Sequence, residues 1–273
     1  MATRSYLSAT KQDLTFFEHL VPSYDNEWLW LHASDRKDSV ASIMTCLTVT
    51  ADVVEEAIFQ EVDLLVAHHP IPFKGIKRIS TDSPTGKLLW KLASNGIAIY
   101  SPHTAFDSAR GGINQQLAAG LNLEGVQPLL PLENPGHESL QGLGTGRFGE
   151  CEPMTLNRLA ANVTEFLNIQ GLHIVGDIQS KVSRVGIACG SAGEFIRPAS
   201  RAGCQVLLTG EARFHTCLEA KALGIAMILP GHFASERFAL ETLATQLASE
   251  FTDAKVWASQ QESDPLQWMD SDS

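Results

Sequence analysis

Cysteine is scarce in this sequence and follows no pattern. The five residues Cys46, Cys151, Cys189, Cys204 and Cys217 are odd in number, and no two stand in a C-x-x-C spacing. A zinc ribbon, a redox dithiol and a disulfide scaffold are therefore not expected. All five read as small buried hydrophobes of a chain kept in a reducing compartment, with Cys189, like the loop residue His137, outside any functional site. Positive charge is also short, with 20 Lys and Arg against 31 Asp and Glu and a formal net charge of −11. Neutralising phosphate backbones or anionic membranes takes a surplus of Lys and Arg, so neither membrane nor nonspecific nucleic-acid binding is expected, although a locally positive pocket stays compatible. No apolar run approaches the roughly 18 residues of a membrane span. Residues 1–17 lack the apolar core of a secretory signal. A cytoplasmic location is expected.

What is present is ordinary globular material: 273 residues, 44% hydrophobic and 19% charged. That is enough for one large domain or two small ones. Thr10 and Asp13 have capping-box spacing ahead of Leu14, Phe17 and Leu20, and Pro22 closes the expected helix. Alternating Trp28, Trp30 and His32, and then the β-branched stretch 40–50, read as strands. A rhythm follows: a helix over 51–61, a buried strand over 63–67, a helix opened by Ser83 and Pro84 and closed by Gly96, a strand over 97–100 and a helix over 112–119. Residues 122–137, with Pro128, Pro131, Pro135 and Gly136, look like a linker. Beyond it come a glycine-rich strand (142–150), a helix (155–168), strands at 184–189, 205–209 and 225–229, and helices at 193–202, 214–223 and 234–250. Strands alternating with helices argue an α/β fold with mostly parallel sheet. The tail after Gln260 is polar apart from Leu266, Trp268 and Met269, and is either disordered or docked through those three.

Histidines and carboxylates gather at three places. His68 and His69 directly follow the strand DLLVA, His103 and Asp107 follow IAIY, and His232 and Glu236 follow IAMIL and open a helix. Ligands of an open parallel sheet bind beyond the carboxyl ends of its strands, so three such ends can serve one crevice. His232 and Glu236, four apart, share one face of a helix turn. His68 and His69, as neighbours on extended chain, point apart and suit two different ions. Imidazole with carboxylate favours Zn, Fe, Mn or Ni over Mg or Ca. Five ligands exceed the need of one four-coordinate ion and suit two divalent ions about 3.5–4 Å apart. A lone histidine after a strand is ordinarily a hydrogen-bonded loop residue; a double histidine before proline, matched by two further clusters in the same topological place, is harder to read that way. His19 and His173 sit among apolar residues and read as core or helix-face positions, and His32 as a surface or loop one. His215 either lines the crevice or caps the next helix. Gly142 to Gly146 reads as a turn, while Gly190-Ser191-Ala192-Gly193 joins strand to helix and is either a plain turn or an anion site.

The segments DLLVAHHP, SPHTAFD and PGHFASE, in this order, resemble the signature segments of the GTP cyclohydrolase type 2 homologue family, also called NIF-three-like proteins. QGLGTGRFGE, VGIACGSAGEFIRPASRAGCQVLLTGEARFH and SDPL extend the likeness over nearly the whole chain. The resemblance implies the NIF-three-like fold in its short form, without an inserted domain. It implies two similar α/β subdomains with mostly parallel or mixed sheets: 1–128 plus 229–273, carrying most of the ligands, and 129–228. It also implies a ring-shaped homohexamer with a dinuclear site facing an internal cavity. The family's ligands fall on His68, His69, Asp107, His232 and Glu236, with His103 beside the metals. The commoner T-G-D-x-x-Y-H of the family stands here as TGEARFH, which keeps a carboxylate and a ring but no tyrosine hydroxyl. The function expected from this is a metal-dependent hydrolase of a nucleotide or other phosphate-bearing metabolite, GTP ring opening being the named possibility, with His103 or His215 shuttling protons. The alternative is a noncatalytic metal-binding regulator, chaperone or interaction scaffold.

Overall fold

The computed structural model describes residues 30–31, 40–132, 142–267 and 269. The expected opening helix, His19, His32, His137 and Trp268 lie outside them. In chain order, β1 (Trp30–Leu31) and β2 (Ser42–Cys46) precede α1 (Ala51–Phe59), β3 (Leu64–Ala67), α2 (Pro84–Ser94), β4 (Ala98–Tyr100) and the short α3 (Thr104–Ser108). Next come α4 (Ile113–Gly120), β5 (Glu124–Gln127), β6 (Leu130–Pro131), β7 (Gly144–Thr145), β8 (Arg147–Thr155), α5 (Leu156–Leu167), β9 (His173–Val175) and β10 (Lys181–Ile187). A 3-10 turn at Gly193–Phe195 leads into α6 (Ile196–Arg201), followed by β11 (Val206–Leu208), α7 (Phe214–Leu223), β12 (Ala226–Leu229), α8 (His232–Arg237), α9 (Ala239–Glu250) and β13 (Lys255–Ala258).

The chain divides into two compact units, Met1–Phe106 with Ala239–Ser263, and Asp107–Phe238 with Asp264–Ser273. The first is built on a five-stranded sheet of order β1-β4-β3-β2-β13, parallel except for β1. Its inner strands are buried on both faces, as the short apolar runs require. Met44, Cys46, Leu65, Ala67 and Ile99 pack with Val53, Val54 and Ala57 of α1 and Leu89 and Leu92 of α2. The buried Thr45 hydroxyl, pointing to the other face, donates to Leu240 O of α9 at 2.8 Å. Helix starts follow the expected chemistry: Thr50 caps α1 through Val53 N, and Ser83 caps α2 through Gly86 N with Pro84 behind it.

The second unit has a six-stranded mixed sheet of order β5-β8-β10-β11-β12-β9, in which β10, β11 and β12 are parallel. Ile196, Ala199 and Ala220 of α6 and α7 cover Leu207 and Met227. Helix α5, capped by Thr155, buries Leu156, Leu159, Ala160 and Val163.

Several expectations differ from this structure. Residues 122–132, the described part of the expected linker, are not a plain linker: β5 pairs with β8, and β6 with β7. That pairing, with α4, draws the chain into the second unit from Asp107 instead of 129. Likewise β12 and α8 continue the second unit, so the second crossover falls at 238/239 and not at 228/229. Asp107, His232 and Glu236 consequently belong to the second unit. The expected helix 234–250 is two helices, parted at Phe238. His173 is exposed on edge strand β9, not buried, since alternation there turns its side chain outward. Leu266 and Met269 are exposed, so neither docks the tail.

Candidate metal centre

Each unit carries its own group of ligand-type side chains, and each lies beyond strand ends. In the first unit, the pairing of β3 with β2 runs on past the strands: His68 N donates to Cys46 O at 2.9 Å and His69 N to Leu47 O at 2.8 Å. This holds both histidines rigidly at the end of β3. His68 is buried, edge-on to Phe106. The neighbouring rings diverge less than extended chain suggests, their centroids being 5.0 Å apart. His103, before α3, brings its ring to 5.4 Å from His68 and 5.9 Å from His69. One ligand atom from each of the three lies within 4.8 Å of the others, a grouping able to hold a metal ion. His103 sits at φ 39°, in the left-handed region; the other three such non-glycine residues among those described, Glu61, Asn122 and Asn168, follow helix ends instead.

His69 is oriented from behind. Its Nδ1 is 2.8 Å from Thr48 Oγ1, so Nε2 is the ring nitrogen presented to a ligand. The Thr48 loop is held in turn by the Glu262 carboxylate, which accepts from Leu47 N at 2.9 Å and Thr48 N at 2.6 Å. Neither Thr48 nor Glu262 has a sequence motif that marks it, because both act across long stretches of chain.

In the second unit, the loops after β10, β11 and β12 are zipped together. Gly190 N donates to Ser235 Oγ, Thr209 Oγ1 and Glu211 N donate to Gly190 O, and Gly231 N donates to Gly210 O. His232 and Glu236 stand on α8 with Nε2 3.1 Å from the buried carboxylate. The other ring nitrogen lies 3.0 Å from Glu211 Oε1. Gly190, at φ +67°, approaches so closely that an added Cβ would stand 2.1 Å from Glu236 Oε1. The Gly190–Gly193 turn therefore seats a side-chain carboxylate, and the chain enters α6 only after a 3-10 turn.

Asp107 is tied into the same unit by two residues. Asn114, buried, donates to Asp107 O at 3.0 Å and accepts from Cys189 N at 2.8 Å. The Cys189 thiol donates to Asp107 Oδ1 at 3.1 Å. Burial, with the Asp107 and Glu236 carboxylates, pushes this thiol well above its ordinary range. It thus acts as an S–H donor that aims the carboxylate. This corrects the reading of Cys189 as a bystander; a β-strand end and a buried thiol look alike in sequence whether or not a carboxylate faces them. All five cysteines are free thiols; Cys46, Cys189 and Cys204 are buried as expected, whereas Cys151 and Cys217 are only half-buried. His215 is exposed on α7, in ring contact with Phe214, and is not among the ligand groupings of the described residues.

The hydrogen bond that His232 donates to Glu236, with Glu211 on the far side, raises the His232 pKa to about 9 although burial opposes it. An ion taking Nε2 must displace that proton. Metal affinity of the His232 position is therefore expected to strengthen about tenfold per pH unit, levelling off once the pH passes the His232 pKa. Chelator-competition titrations across that range check this, and a flat profile would contradict it. Glu211→Gln should move the plateau to lower pH.

The donor set suits a borderline transition ion: clustered imidazoles, an imidazole–carboxylate pair, and an outer ring nitrogen held on both His69 and His232.

Comparison with known proteins agrees with the fold. The family model described as Duf34/NIF3 (NGG1p interacting factor 3) matches residues 15–265. A protein of Schizosaccharomyces pombe named "Protein NIF3 homolog" is 34% identical over 261 residues, covering 92% of each chain. A Clostridium acetobutylicum protein named "GTP cyclohydrolase 1 type 2 homolog" is 35% identical over 218 residues, covering 80% of this chain and 79% of that one. The crystal structure of a Bacillus cereus protein related to NIF3 superposes with a TM-score of 0.84 at 23% identity, over 95% of this chain and 98% of the other. With a family match across most of its length and two relatives above 30% identity, the chain belongs to the Duf34/NIF3 family.

Proposed function

We propose that this protein is a metal-dependent hydrolase of a nucleotide or another phosphate-bearing metabolite, acting at a dinuclear centre of His68, His69, Asp107, His232 and Glu236. The observation that carries the proposal is the chemistry of the two ligand groups: imidazoles gathered at one set of strand ends, and an imidazole with the buried Glu236 and half-buried Asp107 carboxylates at another. That one centre draws on both groups rests on the family resemblance and on ligand number, since five donors suit a pair of ions. The native ion is Zn, Fe, Mn or Ni. When bound, such a pair supplies Lewis acidity and lowers the pKa of a water to about 7.

The chain's own residues have distinct tasks in this reading. Thr48 and Glu211 fix the ring orientation of His69 and His232, and Cys189 and Asn114 aim Asp107. His103 is the better candidate for moving a proton, because it stands within the imidazole group; His215 is kept as a weaker one. The name of the Clostridium relative makes GTP the first nucleotide to try. We place the protein in the cytoplasm as a homohexamer; a light-scattering mass of a single chain would contradict that assembly.

The test is metal content and turnover together. Asp107→Ala and Glu236→Ala should each hold at most one ion per chain and lose nucleotide turnover, with circular dichroism unchanged. Full occupancy in both variants sinks the ligand assignment. Fully metallated protein that processes no nucleotide or phosphoester replaces the hydrolase with the competing reading, a metal-binding regulator or scaffold, which the exposure of His215 favours.

A further inference from the structure

The loop between β3 and α2 has a composition unlike the rest of the chain. Residues 64–81 contain no Asp or Glu, in a sequence with 31 of them and a net charge of −11. Within it, Phe73-Lys74-Gly75-Ile76-Lys77-Arg78-Ile79 are exposed without interruption. Phe73, Ile76 and Ile79 are 68%, 45% and 51% exposed, although free apolar side chains of this size gain by burial. Lys74, Lys77 and Arg78 make no hydrogen bond or ion pair among the described residues. Three exposed cations with no partner among the described residues, in an acidic protein, suit an anion from outside.

The loop is anchored at both ends. Ile71 is part of the first unit's core, and Ser80 Oγ donates to Asp82 just before Ser83 caps α2. Its position is also tied to the imidazole group, because the Phe73 ring stands edge-on to His103 at 5.7 Å between centroids. Apolar and cationic side chains therefore alternate on one anchored strip that begins beside the ligand histidines.

We infer that residues 73–79 form the recognition strip for a nucleotide: Lys74, Lys77 and Arg78 take the phosphates, and Phe73 with Ile76 covers the face of the base. Guanidinium and ammonium groups bind phosphate oxygens through charge-assisted hydrogen bonds. An aromatic ring accepts any base by stacking, which is why a strip with no base-reading amide or carboxylate can still hold one. A simple ester or a peptide offers neither group. The inference rests on the hydrolase reading and deepens it by naming what selects the substrate.

The test uses the full-length, metal-loaded protein, with GTP and guanosine as probes in isothermal titration. The triple variant Lys74→Ala/Lys77→Ala/Arg78→Ala should bind GTP about 10- to 100-fold more weakly at low salt, with metal content and light-scattering mass unchanged. Phe73→Ala should weaken GTP and guanosine alike, by about 5- to 10-fold. The salt dependence of GTP binding should be shallower in the triple variant. Equal GTP affinity in the wild type and the triple variant overturns the strip while leaving the hydrolase reading intact. Weaker binding accompanied by a smaller assembly also overturns it, since the strip is then a contact between copies. Wild-type protein that neither binds nor turns over any nucleotide or phosphoester overturns the hydrolase reading, and the strip with it.

Discussion

Gly190→Ala is expected to cost the protein at least one metal ion per chain while leaving its fold in place. Two effects act at this position. At φ +67° an alanine bears the left-handed penalty of roughly 1 kcal/mol. The larger effect is steric, because the new Cβ would lie 2.1 Å from Glu236 Oε1 and 3.4 Å from His232 Nε2. Glu236 is buried and cannot swing its carboxylate into open solvent, so it must leave the position in which it faces His232. Gly224→Ala separates the two effects: its φ of +70° gives the same backbone strain, but nothing lies within 4 Å of the added carbon. The expected outcome is a small, similar loss of stability in both variants and a loss of metal only in Gly190→Ala. Metal analysis of the purified variants decides it. Unchanged stoichiometry in Gly190→Ala would show that Glu236 is not held where it is needed.

That glycine illustrates what a sequence can and cannot reveal. Gly190 stands out as part of a strand-to-helix turn, yet a turn, an anion site and a seat for a carboxylate share one local pattern. The three His and carboxylate clusters were legible as candidates because each directly follows a short apolar strand, and parallel sheets place ligands there. What holds those ligands was not. Thr48 and His69 are 21 residues apart, Thr48 and Glu262 are 214, and Cys189 and Asp107 are 82. Such pairings follow from sheet order, and sheet order has no local signal.

The same limit explains the fold's misread parts. Pro128, Pro131 and the neighbouring polar residues suppress strand signals, although β5 and β6 form by pairing with β8 and β7. Between Ala234 and Glu250 there is no Gly or Pro, so nothing local announces the break at Phe238 where the chain passes from one unit to the other. Long, strongly patterned elements such as α5 were legible almost to the residue: Thr155 caps it, and Asn168 ends it in the left-handed conformation at φ 51°.

Arg147→Met is expected to give the largest loss of stability of any single variant proposed, about 3–5 kcal/mol. Arg147 is 1% exposed. Its guanidinium uses all five of its N–H groups: Nε donates to Gln115 Oε1, Nη1 to Gly144 O and Gly146 O, and Nη2 to Ser108 O and Ala109 O, at 2.7–3.0 Å. Methionine keeps much of the volume but leaves four backbone carbonyls and an amide oxygen without that donor, and each buried polar group so stranded costs roughly 1–3 kcal/mol before relaxation. Lysine, with three donors on a single nitrogen, cannot span acceptors on two segments and should recover only part of the loss. Arg184→Met is the contrasting variant: that side chain binds Glu150 and Ala202 O at the surface, where water replaces either partner, so its loss should be small beside that of Arg147→Met. Urea titrations of the three variants give the comparison. The effect should reach the proposed ligand Asp107 too, because the Ser108 and Ala109 carbonyls directly follow it, and removing the guanidinium leaves that turn held by the Gly112 N–Ala109 O and Asn114–Asp107 O hydrogen bonds. Arg147→Met within about 1 kcal/mol of the parent, with its metal retained, would mean that water satisfies those carbonyls as well as the guanidinium does.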